Sequence, residues 1–385
     1  MLNTNFTPWP LFTDEEINAV KNVLKSNKVN YWTGNECRKF EKEFATWSKT
    51  KYAVALANGT LALEAAFKAL DIGVGDEVIV TPRSYIASIS SIINSGAKPV
   101  FADVDLSSQN ISPESIKTSI THKTKAILCV HLAGWPCEMD EIVNIAKKSN
   151  LYVIEDCAQA HGAKYKGKPV GSIGHIGCWS FCQDKIMTTA GEGGMVTTNN
   201  EKLWRKLWAY KDNGKSYEAV YERKHPKGFR WIHDSFGSNW RMTEIQAAIG
   251  RIQLRRMSDW HKKRVHNANC IWNAAKKIDE LRVPTIPSHI EHAAYKCYVF
   301  LKNNINLRDK IISQINEKGL PCYQGSCSEV YLEKAFENTG FRPKKRLKNA
   351  KKLGESSIMF LVHPTLKKEE IKKTCDIFTE LTLKQ

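Results

Sequence analysis

YAVALANGTLALEAAFKALDIGVGDEVIVTP, residues 52–82, decides the fold class. Tyr52 to Asn58 is a short, almost continuous apolar run. Gly59-Thr60 then opens a helical stretch to Leu70, a glycine-bearing turn follows, and residues 76–82 return to a second apolar run. Strands that face solvent on one side alternate apolar and polar residues. Runs that are apolar at nearly every position are strands buried on both faces, and the helix between two of them makes the pair parallel. The same alternation continues outward. Residues 84–96 read as a helix ended by glycine, 98–105 as a strand, 125–132 as a strand, 138–150 as a helix and 151–156 as a strand, and 177–181 and 194–199 add two more strands. The reading is α/β, with a large domain built on a mostly parallel sheet.

The flanks differ. The first 50 or so residues read as two helices around NYWTGNE, 30–36, and Thr13-Asp14-Glu15-Glu16 opens the first in capping-box fashion. From about residue 241 the apolar positions keep helical spacing as far as Ile278, which predicts one long helix bridging to a smaller α+β C-terminal domain. KCYVFL, 296–301, and SSIMFLVH, 356–363, are the clearest strands of that domain. The expected division is residues 1–250 for the N-terminal segment and large domain, and 251–385 for the bridging helix and small domain.

Composition bounds the function. With 385 residues, 42% hydrophobic and 25% charged, the chain belongs with ordinary globular proteins. The first thirty residues lack the apolar core of a signal peptide, and no run approaches the ~18 apolar residues of a membrane span. No membrane contact and a cytoplasmic location are the expectations. Eleven cysteines, an odd number scattered through strands and helices, fit free thiols rather than a disulfide framework. Cys129, His131 and Cys137 raise zinc, but Cys129 lies in an apolar strand and no second ligand pair has finger-like spacing, so no metal is expected. The net charge of +17 is compatible with nucleic acid, with a solvated basic face such as 342–352, or with an anionic small substrate. No basic arm or nucleic-acid motif accompanies it, so a basic nucleic-acid-binding regulator stands only as the alternative from another class.

In open α/β sheets ligands bind at the carboxyl ends of strands, so those ends are read together. Gly59 and Thr60 sit where the first strand passes into a helix, a place for an N-cap or a phosphate. Glu155-Asp156 ends the fifth strand and puts a carboxylate at the sheet edge, with Gln159 three residues on. Ser180 ends the next strand, and Lys185 lies just beyond it in SFCQDKIMTTAGEGGMV, 180–196. A lone lysine is more often a surface charge. A partly desolvated one is a nucleophile able to condense with an aldehyde. Pyridoxal phosphate needs such a lysine, a carboxylate opposite its ring nitrogen and a phosphate cup, and Lys185, Asp156 and Gly59/Thr60/Ser180 supply all three.

GTLALEAAFKALDIGVGDEVIV, IEDCAQAHGA, SFCQDKIMTTAGEGGMVTTN and NWRMTEIQAAIGRIQL resemble the motifs of the DegT/StrS family of sugar aminotransferases, a resemblance that runs from about residue 9 to about residue 365. It implies a fold-type I pyridoxal-phosphate enzyme with a seven-stranded large domain, a smaller C-terminal domain and a homodimer with shared active sites. It further implies Lys185 as the Schiff-base lysine, Asp156 at the pyridinium nitrogen, Gln159 beside the ring hydroxyl and Tyr85 stacked on the ring. Gly59, Thr60 and Ser180 fall at the phosphate, with Asn239 reaching it from the neighbouring subunit. The implied reaction moves an amino group from an amino acid, L-glutamate in the usual case, through the pyridoxamine form of the cofactor to a nucleotide-linked keto-sugar, for amino-sugar and surface-polysaccharide (O-antigen) synthesis. Amination of a cyclitol is the alternative on the same scaffold. By position, Trp32, Thr33, His161, Arg230 and Tyr323 are candidate substrate contacts. The sequence departs from the family's commoner pattern in CQD before the lysine, in an extra residue before Glu192, and in NGT where SGT is commoner.

Overall fold

A computed structural model describes residues 6–303 and 305–380. Its centre is a seven-stranded sheet. The strands are β1 (Tyr52–Leu56), β2 (Glu77–Val80), β3 (Lys98–Phe101), β4 (Thr124–Val130), β5 (Tyr152–Asp156), β6 (Ile176–Ser180) and β7 (Gly194–Thr198), in spatial order β1-β7-β6-β5-β4-β2-β3. Neighbours from β3 to β6 pair parallel, while β7 pairs antiparallel with both β6 and β1. β1 therefore runs in the same direction as β5 and β6.

The continuous apolar runs have a simple cause. Successive side chains point to opposite faces of the sheet, and both faces are covered. Val54, Leu56, Val78, Val80, Leu128 and Ile154 enter one core with the helices Gly59–Ala69 and Glu201–Tyr210. Their neighbours on the other face split between two further clusters. Ala53 and Ala55 pack with Phe40 and Phe44 of the helix Glu36–Trp47, and Ile79, Ile127, Cys129 and Val153 pack with Ile142 and Ile145 of the helix Met139–Lys148.

The helix Glu244–Ala275 is capped by Thr243, whose backbone N–H donates to the Gln246 side chain at 2.9 Å while the Gln246 N–H donates back to the Thr243 hydroxyl at 3.4 Å. Ala247, Leu254 and Met257 pack with Phe40 and Phe44, whereas Ala268, Ile271, Trp272 and Ala275 pack on a four-stranded sheet that contains Cys297–Leu301 and Ser357–Phe360. One helix thus carries the second sheet against the first.

The end of β5 is locked from behind. Glu155 is fully buried, accepts N–H groups from Gly171, Ile173 and Gly174 at 2.8, 2.9 and 2.6 Å, and pairs with His131 at 3.0 Å. His131 Nδ1 accepts from the Cys137 N–H at 3.0 Å, so the ring proton is on Nε2 and points at Glu155. Burial alone would push Glu155 up; His131 and the glycine N–H groups outweigh it and hold the carboxyl below its usual range. His131, Glu155 and Cys157 lie close enough to hold a metal, but these bonds already occupy both nitrogens of the ring and both carboxylate oxygens. Their role is to fix the strand that carries Asp156.

Candidate active site

Because β1, β5 and β6 run in one direction, Gly59, Asp156 and Ser180 arrive at the same edge of the sheet. Asn58 caps the helix Gly59–Ala69 by accepting the Leu61 N–H at 2.9 Å. The first N–H groups of that helix have no partner within it and carry the positive end of its dipole. A Cβ on Gly59 would sit 2.5 Å from the Ser180 Cβ and 2.9 Å from its hydroxyl. Only glycine lets the helix start come this close to the serine, and the two make a cup suited to a phosphate. A Cβ on Gly194, in the glycine cluster after the lysine, would sit 2.2 Å from the Asn58 carbonyl oxygen, so this glycine lets β7 pass beside the same cup. Gly59→Val is expected to cost about 1–3 kcal/mol of stability and to weaken phosphate-dependent cofactor binding; thermal melting and binding measured against pyridoxal without its phosphate separate the two effects.

Asp156 is buried. Its oxygens accept the Ser88 hydroxyl at 2.8 Å and the Ala158 N–H at 3.1 Å, and Ser88 is itself paired with Ser84 at 2.8 Å. Burial pushes the carboxyl up despite Ser88, Ala158 and the more distant Lys185 and His131. Among the described residues no cation is hydrogen-bonded to it. Gln159 accepts the Ala133 N–H at 2.8 Å.

Lys185 lies on the loop between β6 and β7. Its N–H donates to the Cys182 carbonyl at 3.0 Å, and its own carbonyl accepts the Trp9 indole N–H at 2.8 Å. Thr188 pins the loop to the long helix through Gln253, at 2.8 Å. The Lys185 amine is 3.3 Å from Asp184 and 5.4 Å from the centre of the Tyr295 ring, and the side chain is 17% exposed. It is neither a free surface charge nor sealed.

Thr60 lies in the first turn of the capped helix, and Tyr85 stands 69% exposed ahead of the helix Ala87–Asn94. The remaining sequence candidates are scattered. Trp32 packs edge-on against Trp208, with the Lys215 amine 4.4 Å above its ring, and the Thr33 hydroxyl donates to the Asn30 carbonyl at 3.2 Å. Arg230 and Asn239 are exposed, and Tyr323 is half-buried in the second sheet. His161 is fully buried against the Trp179 and Phe181 rings with neither nitrogen bonded, and burial drives its pKa down to about 3. It is a neutral ring inside the core beneath Lys185.

Sequence reading missed Ser88, the Asp184–Tyr295 pair, Lys296 and Arg264. Ser84 and Ser88, one helical turn apart, were a weak signal in SYIAS. Tyr295 had none, because only folding brings it to Asp184.

A family model matches residues 10–379. The chain belongs to the DegT/DnrJ/EryC1/StrS aminotransferase family. It is similar to GDP-perosamine synthase of Escherichia coli O157:H7, 45% identical over 251 residues that cover 65% of this chain and 66% of that protein. It is also similar to the UDP-N-acetyl-3-dehydro-alpha-D-glucosamine 3-aminotransferase of Acidithiobacillus ferrooxidans, 32% identical over 98% of this chain and 95% of that one. The solved aminotransferase of Psychrobacter cryohalolentis is 62% identical, covers 97% of this chain and 99% of its own, and superposes with a TM-score of 0.96. The α/β fold with a mostly parallel sheet and a smaller second sheet is that of DegT-family aminotransferases, so the protein is a sugar aminotransferase.

Family members of this kind use pyridoxal phosphate, and the residues present fit it. The cup at Gly59 and Ser180 is of the kind a Cβ would fill, and Asp156 is a buried carboxylate to which no cation among the described residues is hydrogen-bonded, a place a protonated ring nitrogen would take.

Proposed function

We propose that this protein transfers an amino group from an amino acid, L-glutamate in our reading, to the keto group of a nucleotide-linked deoxysugar, as a cytoplasmic homodimer serving amino-sugar and surface-polysaccharide synthesis. The observation that carries the reading is the juxtaposition, at one sheet edge, of a largely buried lysine amine, a buried carboxylate lacking a cation, and a glycine–serine phosphate cup.

Pyridoxal phosphate, when bound, supplies an aldehyde that condenses with amines and a ring that takes up the electrons of a breaking C–H bond. The residues do the rest. Gly59, Thr60 and Ser180 would hold the phosphate. Asp156, kept in place by Ser88 and the locked Glu155, would keep a proton on the ring nitrogen. Gln159 would serve the ring hydroxyl and Tyr85 a ring face. The Lys185 amine would tether the cofactor and, once free, would take a proton from the donor's α-carbon and return one on the other side of the transfer. Trp32, Thr33, Arg230 and Tyr323 remain our candidates for substrate contacts; His161, fully buried against the Trp179 and Phe181 rings, is not one of them. The basic surplus suits a diphosphate-bearing substrate. We take residues 1–250 and 251–385 as the working division of the chain, a border that falls inside the helix Glu244–Ala275.

Support for the dimer comes from the loop before Asn239. Phe229, Trp231 and Phe236 are 74%, 75% and 100% exposed, an apolar surface that a second copy would cover while bringing Asn239 to the neighbour's phosphate. Sedimentation is expected to give a dimer, and Trp231→Arg with Phe236→Arg is expected to weaken it at least tenfold in Kd. An unchanged dimer would place the interface elsewhere.

The reaction itself is tested by incubating the protein with glutamate and a panel of nucleotide keto-sugars and identifying products by mass and NMR. An amino-sugar nucleotide together with 2-oxoglutarate supports the reading. A colourless protein that ignores added pyridoxal phosphate overturns it.

A further inference from the structure

Asp184 directly precedes the lysine in the chain. Asp184 presents one oxygen, Oδ1, to the Lys185 amine at 3.3 Å, while its other oxygen, Oδ2, accepts the Tyr295 hydroxyl. Tyr295 is buried, and its own N–H donates to the Ala133 carbonyl at 3.0 Å; Ala133 in turn is the residue that binds Gln159. Asp184 is thus anchored by a rigid ring 111 residues away in sequence. The surroundings make that anchoring matter. The Lys296 amine lies over the same Tyr295 ring at 4.6 Å. Arg264 is buried over the Trp9 ring at 5.0 Å, with Nε and Nη2 lacking hydrogen-bond partners. Two extra cations therefore stand near Lys185.

We propose that Asp184, clamped by Tyr295, is a positioning residue for the Lys185 amine, receiving it whenever it is not bonded to cofactor and fixing where it waits. This rests on the aminotransferase reading above. An ammonium released beside Lys296 and Arg264 is repelled outward, and a chain with four rotatable bonds has many places to go. A carboxylate with one oxygen held by a buried phenol offers a single place. Asp184 does the same electrostatic work for Lys296, which burial brings down to about 8, the carboxylate opposing that fall and Arg264 and Lys185 adding to it. The charged or titratable groups around Lys185 are Asp184 and Cys182 on its own loop, Asp156 and His161 from β5 and the segment after it, Arg264 from the long helix, and Tyr295 and Lys296 from the segment entering the second sheet. Asp184 is itself half-open to solvent, which screens the pair.

The test is competitive acetylation of the full-length, cofactor-stripped protein across a pH series, read by peptide mass spectrometry, with exposed Lys98 as internal reference. In Asp184→Asn the labelling midpoint of Lys296 is expected to move down, acetylation of Lys185 at neutral pH to rise, Lys98 to stay, and Asp184→Glu to restore both. At high pH acetylation of Lys185 is expected to be equal in the two proteins. Capture of pyridoxal phosphate by Lys185, trapped with borohydride, is expected to be about tenfold slower in Asp184→Asn. Acetylation rates and capture rates that overlay the wild type in a variant with unchanged melting would overturn the proposal. If the wild type captures no pyridoxal phosphate at all, the aminotransferase reading fails, and the Lys185 acetylation rates alone still judge the Asp184–Lys185 pair.

Discussion

Lys185→Ala is expected to abolish turnover, by about 10⁴-fold or more, in a protein that still folds. The amine is the nucleophile, the tether and the proton carrier of the proposed reaction, and these roles are lost together. The fold barely depends on it. The side chain's one ion pair is with an exposed carboxylate, worth about 0–1 kcal/mol, and the Trp9 hydrogen bond goes to the Lys185 backbone carbonyl, which alanine keeps. Steady-state kinetics with a thermal melt check both halves. Wild-type absorbance near ~410–430 nm, the band of a lysine–pyridoxal Schiff base, is expected to be missing from the variant. An alanine variant that keeps a tenth of the activity would remove Lys185 from the chemistry.

Asp156→Asn is expected to do two opposite things. Turnover falls by about 10²–10³-fold, because an amide cannot hold a proton on the ring nitrogen. The cofactor-free protein becomes more stable at neutral pH. The sign follows from the direction of the shift. Burial raises the folded-state pKa of Asp156 above its unfolded value, so the folded protein binds the proton more tightly, and stability declines as pH rises from the unfolded to the folded pKa. Above that window the ionised, buried carboxylate is a net cost, which asparagine removes. Its carbonyl can still accept the Ala158 N–H, and its amide can donate to Ser88, whose hydroxyl rotates to accept. Melting of cofactor-free protein at pH 7 and pH 4 separates the cases. The stabilisation is expected at pH 7 and reduced at pH 4. A variant that melts lower than wild type at pH 7 would mean that Asp156 is paired in the cofactor-free protein and is not waiting for a cation. A buried group that costs the fold stability is one of the physical marks of a functional site.

Much of this was legible in order along the chain. The apolar runs predicted every strand of the central sheet, with bounds that agree to within four residues, because burial on both faces writes itself into consecutive positions. The long helix was legible from its periodicity, and its Thr243–Gln246 cap lies within two residues of the predicted start. Gly59, Asp156, Ser180 and Lys185 were legible because each closes a strand or follows one, and strand ends are where sheets bind ligands. The antiparallel direction of β7 was not, since its pairing depends on how the lysine loop turns back.

The residue types and their places along the chain were therefore enough for the α/β class, the candidate lysine and carboxylate, and the resemblance to a family that the comparisons bear out. The environment of those groups came from the tertiary structure: Asp156 without a cation, Ser88 beneath it, His161 sealed in the core, and Asp184 turned toward Lys185 by Tyr295. The physical reason is range. Strand burial and helix caps act between residues a few positions apart, so local sequence records them. Desolvation and ion pairing depend on which side chains meet across long stretches of chain, 68 residues for Ser88–Asp156 and 111 for Asp184–Tyr295, and that is set only when the sheets and the long helix pack.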